Sequence, residues 1–156
     1  MGDHDLVQAA LKAQGFAMDF WRIAMRPGKP LMFAAKDRAR VLGLPGNPVS
    51  TMVCALLFLK PAIERMLGQA GDLVATEPAR LAVDVKANDT REDYVRSKLT
   101  RTADGLLVEP HAVQDSSMLA VLAWSSALLV RPAHDPARKQ GDTVQVVDLS
   151  VLPGAY

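Results

Sequence analysis

Residues 43–50 read Gly43-Leu44-Pro45-Gly46-Asn47-Pro48-Val49-Ser50 and stand between a strand-like apolar run and a long apolar helix-like one. Two prolines and two glycines in so short a span exclude regular strand and regular helix, so the chain must pass through a rigid loop here. Asn47 suits a helix N-cap, and Pro48 suits the first helical position, where a missing N–H removes no helix bond. A strand, a tight loop and a helix start together turn backbone N–H groups toward a common point, which favours an anion. A second rigid element, Met25-Arg26-Pro27-Gly28-Lys29-Pro30, lies upstream. Pro27-Gly28 is a preferred centre for a type II turn, which would hold Arg26 and Lys29 within about 7 Å, Cα to Cα. Paired cations beside a helix start point to a small, multiply charged anionic ligand.

Composition narrows the alternatives. The 156 residues suit one domain or two small ones. Eighteen Lys and Arg against seventeen Asp and Glu leave the chain near neutral, and the cations are dispersed, so no nucleic-acid face is indicated. Cys54 is the single cysteine; it excludes an internal disulfide and, set in an apolar run, reads as a buried thiol. The start, Met1-Gly2-Asp3-His4-Asp5, lacks the basic and apolar regions of a signal peptide. No apolar run reaches the ~18 residues of a membrane span. The expectation is a soluble cytoplasmic protein without a membrane contact. His4, His111 and His134 show no ligand spacing and read as surface residues.

Periodicity predicts a helix over 5–14 stopped by Gly15, with Leu6, Val7, Ala10 and Leu11 on one face. Residues 16–25 read as a strand, and 31–35 with 39–44 as a hairpin turning at Lys36-Asp37-Arg38. A helix follows over 48–67, ended by Gly68, with Pro61 expected to kink or divide it. Residues 69–72 look like a linker. Beyond them, strands are predicted over 81–85, 94–101, 106–109, 127–130 and 143–147, with a helical segment over 116–124 turning Met118, Leu119 and Leu122 inward. Short strands punctuated by Gly and Asp argue for a small β-barrel or sandwich. The expected division is 1–70, an α/β unit, and 71–156, an all-β unit. The first unit has too few strands for a stand-alone α/β domain, so further strands are expected from a longer chain or a partner.

The runs Phe20-Trp21-Arg22-Ile23-Ala24-Met25-Arg26-Pro27-Gly28-Lys29-Pro30-Leu31 and Gly43 to Ser50, in this order and at this separation, resemble the molybdopterin molybdenumtransferase family, the MoeA and gephyrin E-domain type. Gly2-Asp3-His4-Asp5 resembles the tail of the family's Gly-Gly-x-Ser-Val-Gly-[Asp/Glu]-x-Asp segment. Arg91 to Leu99 and Gln114-Asp115-Ser116-Ser117-Met118-Leu119 resemble its C-terminal barrel. The resemblance implies the second half of a MogA-like, molybdopterin-binding α/β domain followed by a small C-terminal β-barrel. Missing from the pattern are a lid-like domain and the Thr-Gly-[Asp/Ser]-Glu phosphate loop, and Asp115 stands where the family has glycine.

Implied by the same resemblance is a late step of molybdenum-cofactor biosynthesis. Adenylylated molybdopterin is cleaved with Mg²⁺, and molybdate is inserted at the dithiolene, in a homodimeric enzyme. Arg22, Arg26 and Lys29 match the family's cationic ligand contacts, and Arg22 and Arg26, four apart, face one side if the strand is regular. Without the resemblance, these three read as a solvated turn. Pro45, Gly46, Asn47 and Pro48 would shape the oxyanion pocket, with Ser50 as a possible hydroxyl donor, or would form a plain capped connection. Asp5 matches the catalytic and metal-binding acidic position, although alone it reads as a helix N-terminal charge. Arg96 and Ser116 match positions reaching the substrate, or else are polar groups on the barrel surface. Against the enzyme stands a second reading, a non-catalytic anion- or molybdopterin-binding or protein-interaction module.

Overall fold

The computed structural model describes residues 6–69, 74–115 and 118–150. Asp5 and Ser116 lie outside the described residues, as do 70–72 of the expected linker. Helix α1, Leu6–Ala13, ends in a Schellman motif: Gly15 takes a φ of 80°, and Phe16 N–H donates to Leu11 C=O at 3.0 Å. Its apolar face contacts little, for Leu6 and Val7 stay 72% and 53% exposed.

Three strands form the first sheet in the order β1-β3-β4, all antiparallel. Strand β1 is Ala17–Phe20; β3, Met32–Lys36, and β4, Ala39–Gly43, make the expected hairpin, with Lys36 paired to Ala39 and Asp37 at a φ of 49°. The strand expected over 16–25 is two strands in different sheets. Met25 and Arg26 form β2, Met25–Arg26, which pairs parallel with Glu92 and Asp93 of the second sheet. The chain crosses from one sheet to the other over residues 21–24, so no single regular strand can hold both ends.

The predicted long helix is one rod of three parts: α2, Pro48–Cys54; a π-helical turn, Ala55–Leu59; and α3, Lys60–Met66. The helical run continues through Pro61, but its α-helical pattern is divided there by the π-helical turn. Lys60 N–H donates to Ala55 C=O, one residue further back than in an α-helix, and this widened turn makes room for the proline ring. Gly68, at a φ of 78°, closes the rod with a second Schellman motif, Gln69 N–H to Glu64 C=O at 2.9 Å.

The second half is a closed five-stranded barrel, with neighbours β6-β7-β5-β9-β8 and closure from β8 back to β6. Its strands are β5, Glu77–Leu81; β6, Glu92–Thr102; β7, Gly105–Pro110; β8, Ala127–Arg131; and β9, Thr143–Asp148. The first of them was expected over 81–85. It instead starts four residues earlier, because alternation seats Ala79 and Leu81 in the barrel, and Val85 makes only an isolated bridge to Arg138. The helix expected over 116–124 is the shorter α4, Leu119–Ala123, whose buried side chain is Val121, while Met118 and Leu119 are 42% and 49% exposed. His111, expected at the surface, is half-buried, and its Nε2 has no hydrogen-bond partner.

Ala79, Leu81, Val108, Ala127, Leu129, Val144 and Val146 fill the barrel. A second core joins the halves: Met25 and Leu31 from the turn region, Val53, Cys54 and Leu57 from the rod, and Leu128 and Val147 from the barrel. Burying side chains of this size is worth about 1.5–3 kcal/mol each, far more than exposed ion pairs supply. Gly28 sits where this core is tightest. Its φ is 124°, and an added Cβ would lie 2.5 Å from both Cys54 Sγ and Met25 Cε. Gly28→Ala is expected to lower stability by at least about 2 kcal/mol, measured by urea unfolding.

A buried ion cluster pins the barrel's end. Arg131 and Asp135 are 5% and 7% exposed, and Arg131 Nε donates to Asp135 Oδ2 at 2.6 Å while its Nη2 donates to the carbonyls of Lys86 and Pro136. Arg138 Nη2 donates to Asp135 Oδ1 at 2.6 Å. Burial pushes the Asp135 carboxyl up, but the hydrogen bonds from Arg138 and Arg131 outweigh it and hold the group below its ordinary value. A carboxyl depressed by folding stabilises the native state above its ordinary pKa, and the contribution disappears as pH falls through the native value. Asp135→Asn should therefore cost about 3 kcal/mol near pH 7, and the variant should lose less stability than the parent on acidification below about pH 4, both measured by urea unfolding.

Candidate functional site

A cleft of about 300 Å³ opens where the Met25–Pro30 turn meets the start of β6. Two hydrogen bonds shape the turn: Ile23 N–H to Lys29 C=O at 3.0 Å, and Leu31 N–H to Gly28 C=O at 3.1 Å. The second closes a turn over residues 28–31, two residues beyond the type II turn expected around Pro27-Gly28, and the Arg26–Pro27 peptide is cis. The parallel bridge to β6 sets the turn against Arg91, Asp93, Tyr94 and Arg96, and α2 adds Ser50.

Four basic residues, Arg26, Lys29, Arg91 and Arg96, line the cleft with one acidic residue, Asp93. Arg26 meets Asp93 through two nitrogens, Nε to Oδ1 at 2.6 Å and Nη2 to Oδ2, and meets Asp89 Oδ2 through Nη1 at 3.3 Å. The hydrogen bond with Asp93 raises the Arg26 pKa. Asp89 lies below its ordinary value, chiefly because Arg91 N–H donates to it at 2.9 Å, with Arg91 and Arg26 adding their charges. The Lys29 side chain has no hydrogen-bond or ion-pair partner among the described residues.

Arg96 is only 2% exposed, which removes the reading of barrel-surface polarity. Its Nη1 donates to Met118 C=O at 3.2 Å and its Nη2 to Asp115 C=O at 3.1 Å, and burial lowers its pKa. The loop carrying Asp115 is thereby tied to β6. Gln114 reinforces the tie: its Oε1 accepts from Arg96 N–H at 3.1 Å, and its Nε2 donates to the carbonyls of Arg96 and His111 at 2.9 and 2.8 Å. Burial first, then the neighbouring Glu92, pushes the Tyr94 phenol upward, so it stays protonated as a donor.

The remaining sequence candidates lie elsewhere. Arg22 is not among the cleft-lining residues; its guanidinium stacks 3.9 Å above the Trp21 ring. Arg22 and Arg26 do not share a strand face, because β1 ends at Phe20 and Arg26 belongs to the other sheet. Asn47 caps α2 as expected, Oδ1 accepting from Ser50 N–H at 3.1 Å, and Thr51 Oγ1 donates to the carbonyls of Pro45 and Asn47. Cap and side chains thus occupy groups that an anion would need. Gly46 and Pro48 line a different, mostly apolar groove of about 1140 Å³ beside Met52, Ile63, Leu119 and Leu122. Arg91, Asp93 and Gln114 were not singled out from the sequence. The one available signal was the charge cluster Arg91-Glu92-Asp93, which ends three positions before Arg96.

Residues 1–65 match the probable molybdopterin-binding domain, and residues 78–149 match the MoeA C-terminal region, domain IV. The molybdenum cofactor synthesis protein cinnamon of Drosophila melanogaster is 30% identical over 154 residues, covering 97% of this chain and 26% of its own length. A molybdopterin molybdenumtransferase of Synechococcus elongatus is 35% identical over 151 residues, covering 96% of this chain and 36% of its own. The crystal structure of a molybdopterin biosynthesis MoeA protein from Pyrococcus horikosii superposes with a TM-score of 0.70 at 25% identity, over 90% of this chain and 34% of that one. The chain thus spans about a third of the length of the relatives it matches. On these matches and on its α/β-plus-barrel architecture, the chain carries a segment similar to the molybdopterin-binding domain followed by a MoeA C-terminal region, and it resembles the corresponding part of MoeA proteins.

Proposed function

We propose that the chain serves molybdopterin molybdenumtransferase activity, the transfer of molybdate into adenylylated molybdopterin, as the C-terminal part of that machinery, 1–70 contributing to the molybdopterin-binding unit and 71–156 forming the barrel. The observation carrying this reading is the convergence of Arg26, Lys29, Arg91 and Arg96 on one cleft built from both halves. Molybdate and the phosphates of the adenylylated substrate are compact oxyanions. They are suited to a forked guanidinium beside a point-charge ammonium. The Lys29 ammonium, which has no side-chain partner among the described residues, is well suited to pair with such an anion. Tyr94 and Ser50 add neutral residues to the wall.

Mg²⁺ would assist adenylate cleavage. The acidic groups in and beside the cleft do not fit it, since Asp93 is held by Arg26 and Asp89 by Arg26 and Arg91. Among the described residues no group of three His, Cys, Asp or Glu is placed to hold a metal. Asp5 remains the proposed metal-binding and catalytic carboxylate, and Arg22, Pro45, Asn47 and Ser116 remain proposed substrate contacts on the family pattern. The proposed working state is a cytoplasmic homodimer.

Titration calorimetry of the purified chain with sodium molybdate tests the cleft. Replacing Arg26 and Lys29 together by alanine is expected to weaken binding at least about tenfold, because two charge-assisted contacts are removed. Affinity equal to the parent's would refute the assignment.

A further inference from the structure

We propose that Asp93 is a positioning residue: it orients the Arg26 guanidinium for anion capture in the cleft, an inference that rests on the oxyanion reading above. Arg26 sits on a two-residue strand, its side chain is 46% exposed, and a guanidinium on so long a stem has many rotamers open to it. Asp93, at 13% exposed, is the less mobile partner. Register places the two directly across from each other, Arg26 opposite Asp93 in the parallel bridge. The carboxylate takes the Nε and Nη2 edge of the fork, and Asp89 takes Nη1. A guanidinium has five N–H donors. Three are engaged here, so the carboxylates fix the plane and roll of the group and leave two donors for a ligand. Asp93 lines the same cleft as Lys29, so the donors it orients and the Lys29 ammonium serve one space.

This role makes a prediction of opposite sign from simple charge counting. Removing a carboxylate from an anion site should strengthen binding if only net charge mattered. If Asp93 acts through Arg26, removing its charge should weaken binding, and only while Arg26 is present.

The test is molybdate titration calorimetry on the parent chain, Asp93→Asn, Arg26→Ala and the double variant, with thermal melts as the folding control. Expected is a loss of about fivefold for Asp93→Asn in the parent background and no further loss in the Arg26→Ala background. Tighter or unchanged binding by Asp93→Asn overturns the proposal, and so does an equal loss in both backgrounds, which would mark a general effect on the fold. Should Asp93→Asn fail to fold, Asp93→Glu keeps the charge but displaces it by one methylene. A loss of about threefold at an unchanged melting point is then expected, and unchanged affinity overturns the proposal. No molybdate binding by the folded parent chain would overturn the oxyanion reading itself and the inference with it, an outcome distinct from intact parental binding that ignores residue 93.

Discussion

The two halves of the chain meet through a very small piece of sheet, the parallel pairing of Met25 and Arg26 with Glu92 and Asp93. Two residue pairs are a weak join by backbone bonding alone, since each hydrogen bond contributes only about 1 kcal/mol net. The join holds because apolar burial beneath it and ion pairing above it act at the same place. Below lie Met25, Leu31, Val53, Cys54, Leu128 and Val147, drawn from all parts of the chain. Above lies the Arg26 contact with Asp93 and Asp89. Cleft, turn and barrel strand are consequently one construction, and the cations of the first half share a wall with those of the second.

Local chemistry made most of the first half legible in the sequence. The Asn47 cap, the Pro48 start, the Gly15 and Gly68 stops and the Lys36–Ala39 hairpin each follow from one residue's backbone preference, and each is present. The strand over 16–25 was misread because alternation cannot reveal that a chain changes sheets midway. Pro61 disturbs the α-helix, as local rules say, but they do not reveal that the disturbance takes the form of a π-helical turn. In the barrel, strand β5 was displaced because both 77–81 and 81–85 alternate, and only closure of the barrel decides between them.

The site divided along the same line. Arg26 and Lys29 were legible from the turn that carries them, and Arg96 from family resemblance. Asp93 and Gln114 were not, since their importance lies in partners far away in sequence: Arg26 for one, the Arg96 backbone for the other. The loop at 45–48 shows the converse. Its residue types suggest an anion cradle, and the structure adds what they do not reveal: Asn47 and Thr51 bond locally, and Gly46 and Pro48 also line an apolar groove.

Cys54 acquires a use from its position. Its thiol is fully buried, burial pushes its pKa up to about 11, and Gly28 lies against it under the turn that carries Arg26 and Lys29. A thiol in that state is inert to alkylating reagents until the turn lifts away. The only cysteine of the chain is therefore a built-in clock for the cleft floor. Its labelling rate reports how often that floor opens, and a ligand that bridges the turn to the barrel slows the clock.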